Sequence, residues 1–321
     1  MINNHKYLNN MNIDEVKKKI RGPMIPVITS LNKDLSIDTS AIKEEVKFLI
    51  EHGIKEGQGV LLAAGAGGDF NMLSLDERKL VCRTIVEASE DRIPVLVGAQ
   101  DTNVNNMISM AKYAEEINAY GIQFSTTYYY PPSDEDALNL YQTIHDATKS
   151  IAIMAYNTFW HDYNFPFEIL DQVAELERVV SLKWSRPDNG IPYMEGVARY
   201  SDKLAVVDNG GMHVMNHMLG GTGYITHLAT VWPEHDLSVW KLLEAGDYRK
   251  AQKKIMAVNW PWLKFRGKMG QRTSGESPPV KAALDLLGRN GGPSRLPSRT
   301  LNSDERNDLK ELLIQIGVPF P

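Results

Sequence analysis

The sequence predicts a (β/α)8 barrel carrying a helical C-terminal extension, and three observations predict it. Eight short apolar, β-rich runs recur about 20 to 35 residues apart along the chain. Segments of helical periodicity separate them, several opening on a Ser, Thr or Asp suited to an N-cap. After the eighth run the pattern changes to helices alone, so the alternating part reads as one closed parallel sheet wrapped by helices.

In order, the runs are "MIPVIT" (24–29), "GVLLAA" (59–64), "IPVLVG" (93–98), "GIQFS" (121–125), "IAIMAY" (151–156), "VVSLK" (179–183), "LAVV" (204–207) and "GYITH" (223–227). "DTSAIKEEVKFLIEHG" and "SLDERKLVCRTIVEA" have the apolar spacing of amphipathic helices between them. Spacing this short leaves no room for an inserted domain. Residues 1–22 read as an amidic tail and a helix, 23–245 as the barrel, and 246–321 as the extension. The extension and its approach hold the helical segments "EHDLSVWKLLEAGDYRKAQKKIMAVNW", "PPVKAALDLLG" and "SDERNDLKELLIQIG". A Gly/Pro/Ser-rich connector, "GRNGGPSRLPSRT" (288–300), joins the last two.

Composition excludes several classes of function. A net charge of −5 without a clustered basic stripe argues against nucleic-acid binding. Cys82 is the only cysteine, so a disulfide framework or a Cys-rich zinc site within the chain is ruled out, and its place in "RKLVCRTIV" suits a small buried apolar residue. No apolar run approaches the roughly 20 residues that span a bilayer. The opening "MINNHKYLNN" has no apolar segment of the kind that signal peptides carry. The expectation is a soluble cytoplasmic protein without a membrane partner.

Barrel enzymes work at the carboxyl ends of their strands. Lys183 ends the sixth expected strand, Tyr156 ends the fifth, and the second runs into "AAGAGGDF". A lysine among apolar and aromatic groups loses its proton more easily and can attack a ketone to form an imine. A phenol beside it can move protons, and accessible N–H groups around Ala66, Gly67 and Gly68 can hold a carboxylate. Taken singly, each has a plainer explanation as a core tyrosine, a strand-end lysine or a tight turn. Together at three strand ends they suit a 2-oxo acid.

At these residues the chain resembles the dihydrodipicolinate synthase and N-acetylneuraminate lyase superfamily of Schiff-base aldolases. The resemblance runs from "GPMIPVITSLNKDLSID" through "GAGGDFNMLSLDER" and "YNTFWHDYNFP" to "VVSLKWS" and "LGGTGYITHLA". It implies that Lys183 forms the imine and Tyr156 relays protons, with no metal or organic cofactor. It further implies that Tyr129, in "TTYYYPP" between Tyr128 and Tyr130, enters a neighbouring subunit's site. Ile225 falls where the family packs an aliphatic side chain beside the lysine, and a homotetramer or homodimer is the implied assembly.

The departures from that family pattern bear on the substrate. Two hydroxyl residues usually precede Gly-Glu in the loop, whereas Ala66 and Gly67 precede Gly68 and Asp69 here. The synthase proper carries an arginine shortly after its Tyr-Asn motif; this chain has Trp160 and His161 in that stretch, and Trp184 follows the lysine. These three aromatic positions are expected to line the substrate site, and they resemble the hydratase-aldolase and keto-deoxy sugar-acid dehydratase branch. The synthase proper stands as the alternative. His213 and His217, at i and i+4 in "HVMNH", offer a metal-binding alternative, but the expected helix lies away from the strand ends and has no zincin glutamate. His227 is expected to line the pocket, "GGTG" (220–223) to be a structural turn, and a noncatalytic barrel that binds a small acid is a third alternative.

Overall fold

A computed structural model describes residues 12–158 and 163–321 of the chain. Its eight strands are β1 (Gly22–Pro26), β2 (Val60–Ala63), β3 (Val95–Gly98), β4 (Gly121–Phe124), β5 (Ala152–Tyr156), β6 (Val179–Trp184), β7 (Ala205–Asp208) and β8 (Gly223–Ile225). All pair in parallel with their sequence neighbours, and β8 pairs back to β1, closing the barrel. Because strand side chains alternate, Met24, Leu62, Leu96, Met154 and Val207 pack inside the barrel. Their neighbours Ile25, Leu61, Val97, Ile153 and Val206 face the surrounding helices. The sequence reads both strand faces as apolar for this reason.

The helices between strands start where the caps place them. Asp38 accepts from the Ala41 N–H ahead of the helix Thr39–Glu51, and Ser74 and Glu77 form a capping box ahead of Leu75–Ser89. Cys82 lies in the latter, fully buried, and burial pushes its thiol up to about 12, which keeps it unreactive. β8 ends earlier than the run to residue 227 implies. Thr226 Oγ1 accepts from the N–H groups of Leu228 (3.2 Å) and Ala229 (3.4 Å), so the chain turns into helix there. The segment "GGTG" leads into β8, with Gly223 packed against the Gly22 carbonyl.

The helical stretch after β8 is built of several helices. Pro233–Glu244 packs beside β1, and Gly246 then turns the chain in a left-handed conformation (φ +70°). Asp247 caps a second helix, Tyr248–Lys254, which runs through a π-helical turn (Ile255–Asn259) into Trp260–Thr273. Pro261 has no N–H to donate, and a π turn just before it absorbs the missing ladder bond. The helices Ser277–Leu286 and Ser303–Gln315 complete the extension, burying Val280, Leu309 and Leu313 against Ile28 and Leu228 near the barrel mouth. Among the described residues no helix is long and apolar enough to cross a membrane.

Candidate active site

The ladder between β5 and β6 sets Tyr156 directly opposite Lys183, with both side chains pointing into the barrel. Lys183 Nζ lies 3.9 Å from the centre of the Tyr156 ring. Only 6 % of the lysine is exposed. Burial drives its ammonium down to about 7; the Glu276 carboxylate opposes this and the Arg266 guanidinium adds to it. A substantial fraction is therefore a neutral nucleophile near pH 7. Burial, then Glu276, holds the Tyr156 phenol well above its usual range, so it stays protonated and able to donate.

Neighbouring groups fix this pair in place. The Tyr156 N–H donates to Tyr141 Oη (3.1 Å), and the Tyr141 hydroxyl donates to the Phe124 carbonyl (2.8 Å), joining the ends of β4 and β5. Asn157, fully buried, donates to the Ser185 carbonyl (2.6 Å) and accepts from the Phe165 N–H (3.0 Å), which holds the chain leaving β5 against the end of β6. Asn209, just beyond β7, approaches Tyr156 Oη at 3.4 Å.

The glycine-rich segment forms a 3₁₀ turn, Ala66–Gly68, with Ala66 exposed, Gly67 and Gly68 buried, and no side-chain cap on its first N–H groups. The Thr29 hydroxyl donates to the Gly68 carbonyl (2.7 Å). A Cβ at position 67 would lie 2.7 Å from His227 Nε2, so the missing side chain makes room for the imidazole. His227 Nε2 lies 3.1 Å from Glu276 Oε2. Burial and then Arg266 push His227 down to about 4, so near neutral pH it is an uncharged donor to that carboxylate. Burial pulls the half-buried Glu276 upward, but Arg266, the His227 hydrogen bond and Lys183 together hold it well below the usual carboxylate range.

Next to Glu276, the helix Ser277–Leu286 clamps the glycine turn. Asp69 (φ +60°) accepts from the Ser277 hydroxyl (2.5 Å) and pairs with Lys281 Nζ (2.9 Å), and both charged side chains are buried. Glu276, Ser277, Lys281 and Arg266 all come from the extension. No sequence signal marks them, because they lie in helices and a helix–helix turn far along the chain from Lys183.

Several expected positions fall elsewhere. Trp184 does not line the site: one residue past Lys183, it points outward into the helix layer, where its indole donates to the Tyr193 carbonyl (3.0 Å) and packs against Gly196, whose added Cβ would lie 2.1 Å from the ring. Tyr129 is 83 % exposed with φ +90° and stacks edge-on with Tyr130 (5.0 Å). Ile225 is partly buried at the end of β8 and lines the mouth with His227. Trp160 and His161 lie outside the described residues. The helix of His213 and His217 is closer to the site than the sequence implies, since it follows the end of β7 directly, but each histidine has its own carboxylate. His213 Nδ1 lies 2.6 Å from Asp208 and His217 Nε2 3.1 Å from Glu244, and the described residues contain no cluster of three or more potential metal ligands.

A closed (β/α)8 barrel with a buried, near-neutral lysine at the end of its sixth strand and a tyrosine across the ladder defines a class I, Schiff-base lyase. The dihydrodipicolinate synthetase family matches residues 19–316, and the chain belongs to that family of lyases. It is 28 % identical over 283 residues to the 4-hydroxy-tetrahydrodipicolinate synthase of Clostridium perfringens, covering 86 % of this chain and 91 % of that one. Two solved structures share the fold. The dihydrodipicolinate synthase of Acinetobacter baumannii, complexed with pyruvate, has a TM-score of 0.83 at 23 % identity over 94 % of this chain and 100 % of that one. A prophage protein of the same family from E. coli K12, also with pyruvate, has a TM-score of 0.82 at 22 % identity over 93 % of this chain and 99 % of that one.

Proposed function

We propose that Lys183 captures a pyruvate-type 2-oxo acid as an imine and that the enzyme then makes or breaks a bond in a longer 2-oxo acid. One observation carries the reading: a buried strand-end lysine whose amine, near neutrality, lies against the ring of a protonated tyrosine. The neutral Nζ attacks the ketone carbon and water leaves, giving a protonated C=N bond. That bond is the electron sink, so the chemistry calls for no metal or organic cofactor. Loss of a proton from the adjacent carbon gives an enamine that attacks an aldehyde, and cleavage runs these steps backward. In a 3-deoxy-2-oxo acid the same sink supports loss of a hydroxyl as water. Tyr156 gives and takes the protons, and the N–H groups of Ala66 and Gly67 hold the carboxylate.

The substrate branch follows from what the site offers. No hydroxyl stands at positions 66 or 67, and His227 fills the space beside Gly67. No arginine stands just after Tyr156, where Trp160 and His161 occur. These features favour a bulkier partner over aspartate semialdehyde. Exposed Tyr129 suits the site of a second copy, in a cytoplasmic homotetramer or homodimer. Comparing kcat/KM tests the branch. Condensation of pyruvate with aspartate semialdehyde is expected to be about tenfold to a hundredfold poorer than cleavage or dehydration of a longer 2-oxo acid, the weight of one charge-assisted hydrogen bond. If aspartate semialdehyde is the best partner, the enzyme is the synthase proper.

A further inference from the structure

A cavity of about 210 Å³ opens between the ends of β7 and β8 and the helical extension. Its walls include Asn209, Ile225, Trp262, Leu263 and Arg266, whereas Lys183 and the turn Ala66–Gly68 are not among them. It adjoins the reacting centre through Asn209, which reaches Tyr156, and through His227, which packs on Gly67. At this volume it is smaller than the roughly 300 to 1,000 Å³ of a pocket that takes a whole ligand, so it suits one arm of a substrate.

Arg266 is the cation of this cavity, and its state is unusual. Its side chain is only 16 % exposed, yet it makes no hydrogen bond among the described residues. Its one ion pair among the described residues, to Glu276 Oε2, spans 3.7 Å, beyond hydrogen-bond reach, and that same oxygen is engaged by His227 at 3.1 Å. Its nitrogens stay open to the cavity, so this guanidinium has donors free, among the described residues, to make charge-assisted hydrogen bonds to an incoming anion. The π turn helps to place it: Ile255, Asn259, Trp262 and Arg266 recur at three- to four-residue spacing on one face, and Asn259 anchors that face by donating to Asp236 (3.1 Å) and meeting His235 Nε2 (2.7 Å).

We propose that Arg266 receives a second anionic group, at the far end of the 2-oxo acid, with Ile255, Trp262 and Leu263 packing on the apolar stretch between. The substrate is then a 2-oxo acid with a distal carboxylate or another oxyanion, read by the extension and not by the loop after β5. The inference rests on imine formation at Lys183.

Borohydride trapping tests both levels separately, reading the half-saturating concentration for label at Lys183 by mass. The probes are pyruvate, 2-oxohexanoate, whose tail ends in a methyl group, and 2-oxoadipate, whose tail ends in a carboxylate. In the wild-type protein 2-oxoadipate should half-saturate at about a tenfold or greater lower concentration than 2-oxohexanoate. Arg266→Gln should erase that gap, and Arg266→Lys should keep part of it. Arg266 also depresses Lys183, so its loss changes trapping of all three acids together; the ratio of the two long acids cancels that change. Absence of the gap in the wild type, its survival in Arg266→Gln, or an equal loss for both long acids in Arg266→Gln overturns the assignment while leaving the imine reading intact. Failure of pyruvate itself to label Lys183 overturns the imine reading, and this inference falls with it.

Discussion

The mouth of the barrel has two walls of different construction. On the β5–β6 side, Tyr156 and Lys183 are held by the strand ladder itself, braced by Asn157 just past β5 and by Tyr141 from the helix between β4 and β5. On the opposite side, the glycine turn, His227, Glu276 and Arg266 are held by side-chain contacts between the barrel and the extension, such as Asp69 with Ser277 and Lys281. A backbone ladder tolerates most changes at neighbouring side chains, whereas a wall built from buried ion pairs depends on each partner. In the proposed reading the first wall carries the reacting amine, and the second sets its electrostatics and receives the remainder of the substrate.

Breaking the second wall should show that asymmetry most strongly. Lys281→Met leaves Asp69 buried with only the Ser277 hydroxyl, and removing one partner of a buried pair costs about 3–5 kcal/mol. Urea unfolding should report a loss of that order, while folded protein still labels at Lys183 because the β5–β6 ladder is untouched. A loss below about 1 kcal/mol would show that the turn does not depend on the extension.

A smaller effect sharpens the electrostatic link between the walls. Glu276 favours the charged form of Lys183, so Glu276→Gln should lower the lysine below its value of about 7. More of the amine is then neutral at acid pH, and the acidic limb of the pH–rate profile should move to lower pH. A limb that stays in place, or moves upward, would mean that the extension does not tune the lysine.

The difference between the walls also explains what could be read from the chain. Lys183 and Tyr156 are legible because strand ends mark themselves as apolar runs that stop, and the barrel then gives those ends a shared meaning. Trp184 was misplaced by one step of the two-residue alternation: adjacency to Lys183 in sequence puts it on the opposite face of the sheet. Arg266 and Glu276 leave no trace because a charged residue on a helix or in a helix–helix turn looks solvated until tertiary packing places it over the mouth. Gly67 looked like the loss of a functional side chain; only the structure shows His227 in the space. The π turn before Pro261 carries no sequence mark, since helical spacing continues through it.

Incubation with pyruvate and borohydride, followed by peptide mass analysis, tests most directly whether Lys183 is the covalent centre. The expected result is the mass of one reduced pyruvyl group on Lys183, retained after exhaustive chelation, and loss of both label and turnover in Lys183→Ala. Label on another lysine, or turnover that survives in Lys183→Ala, would contradict it.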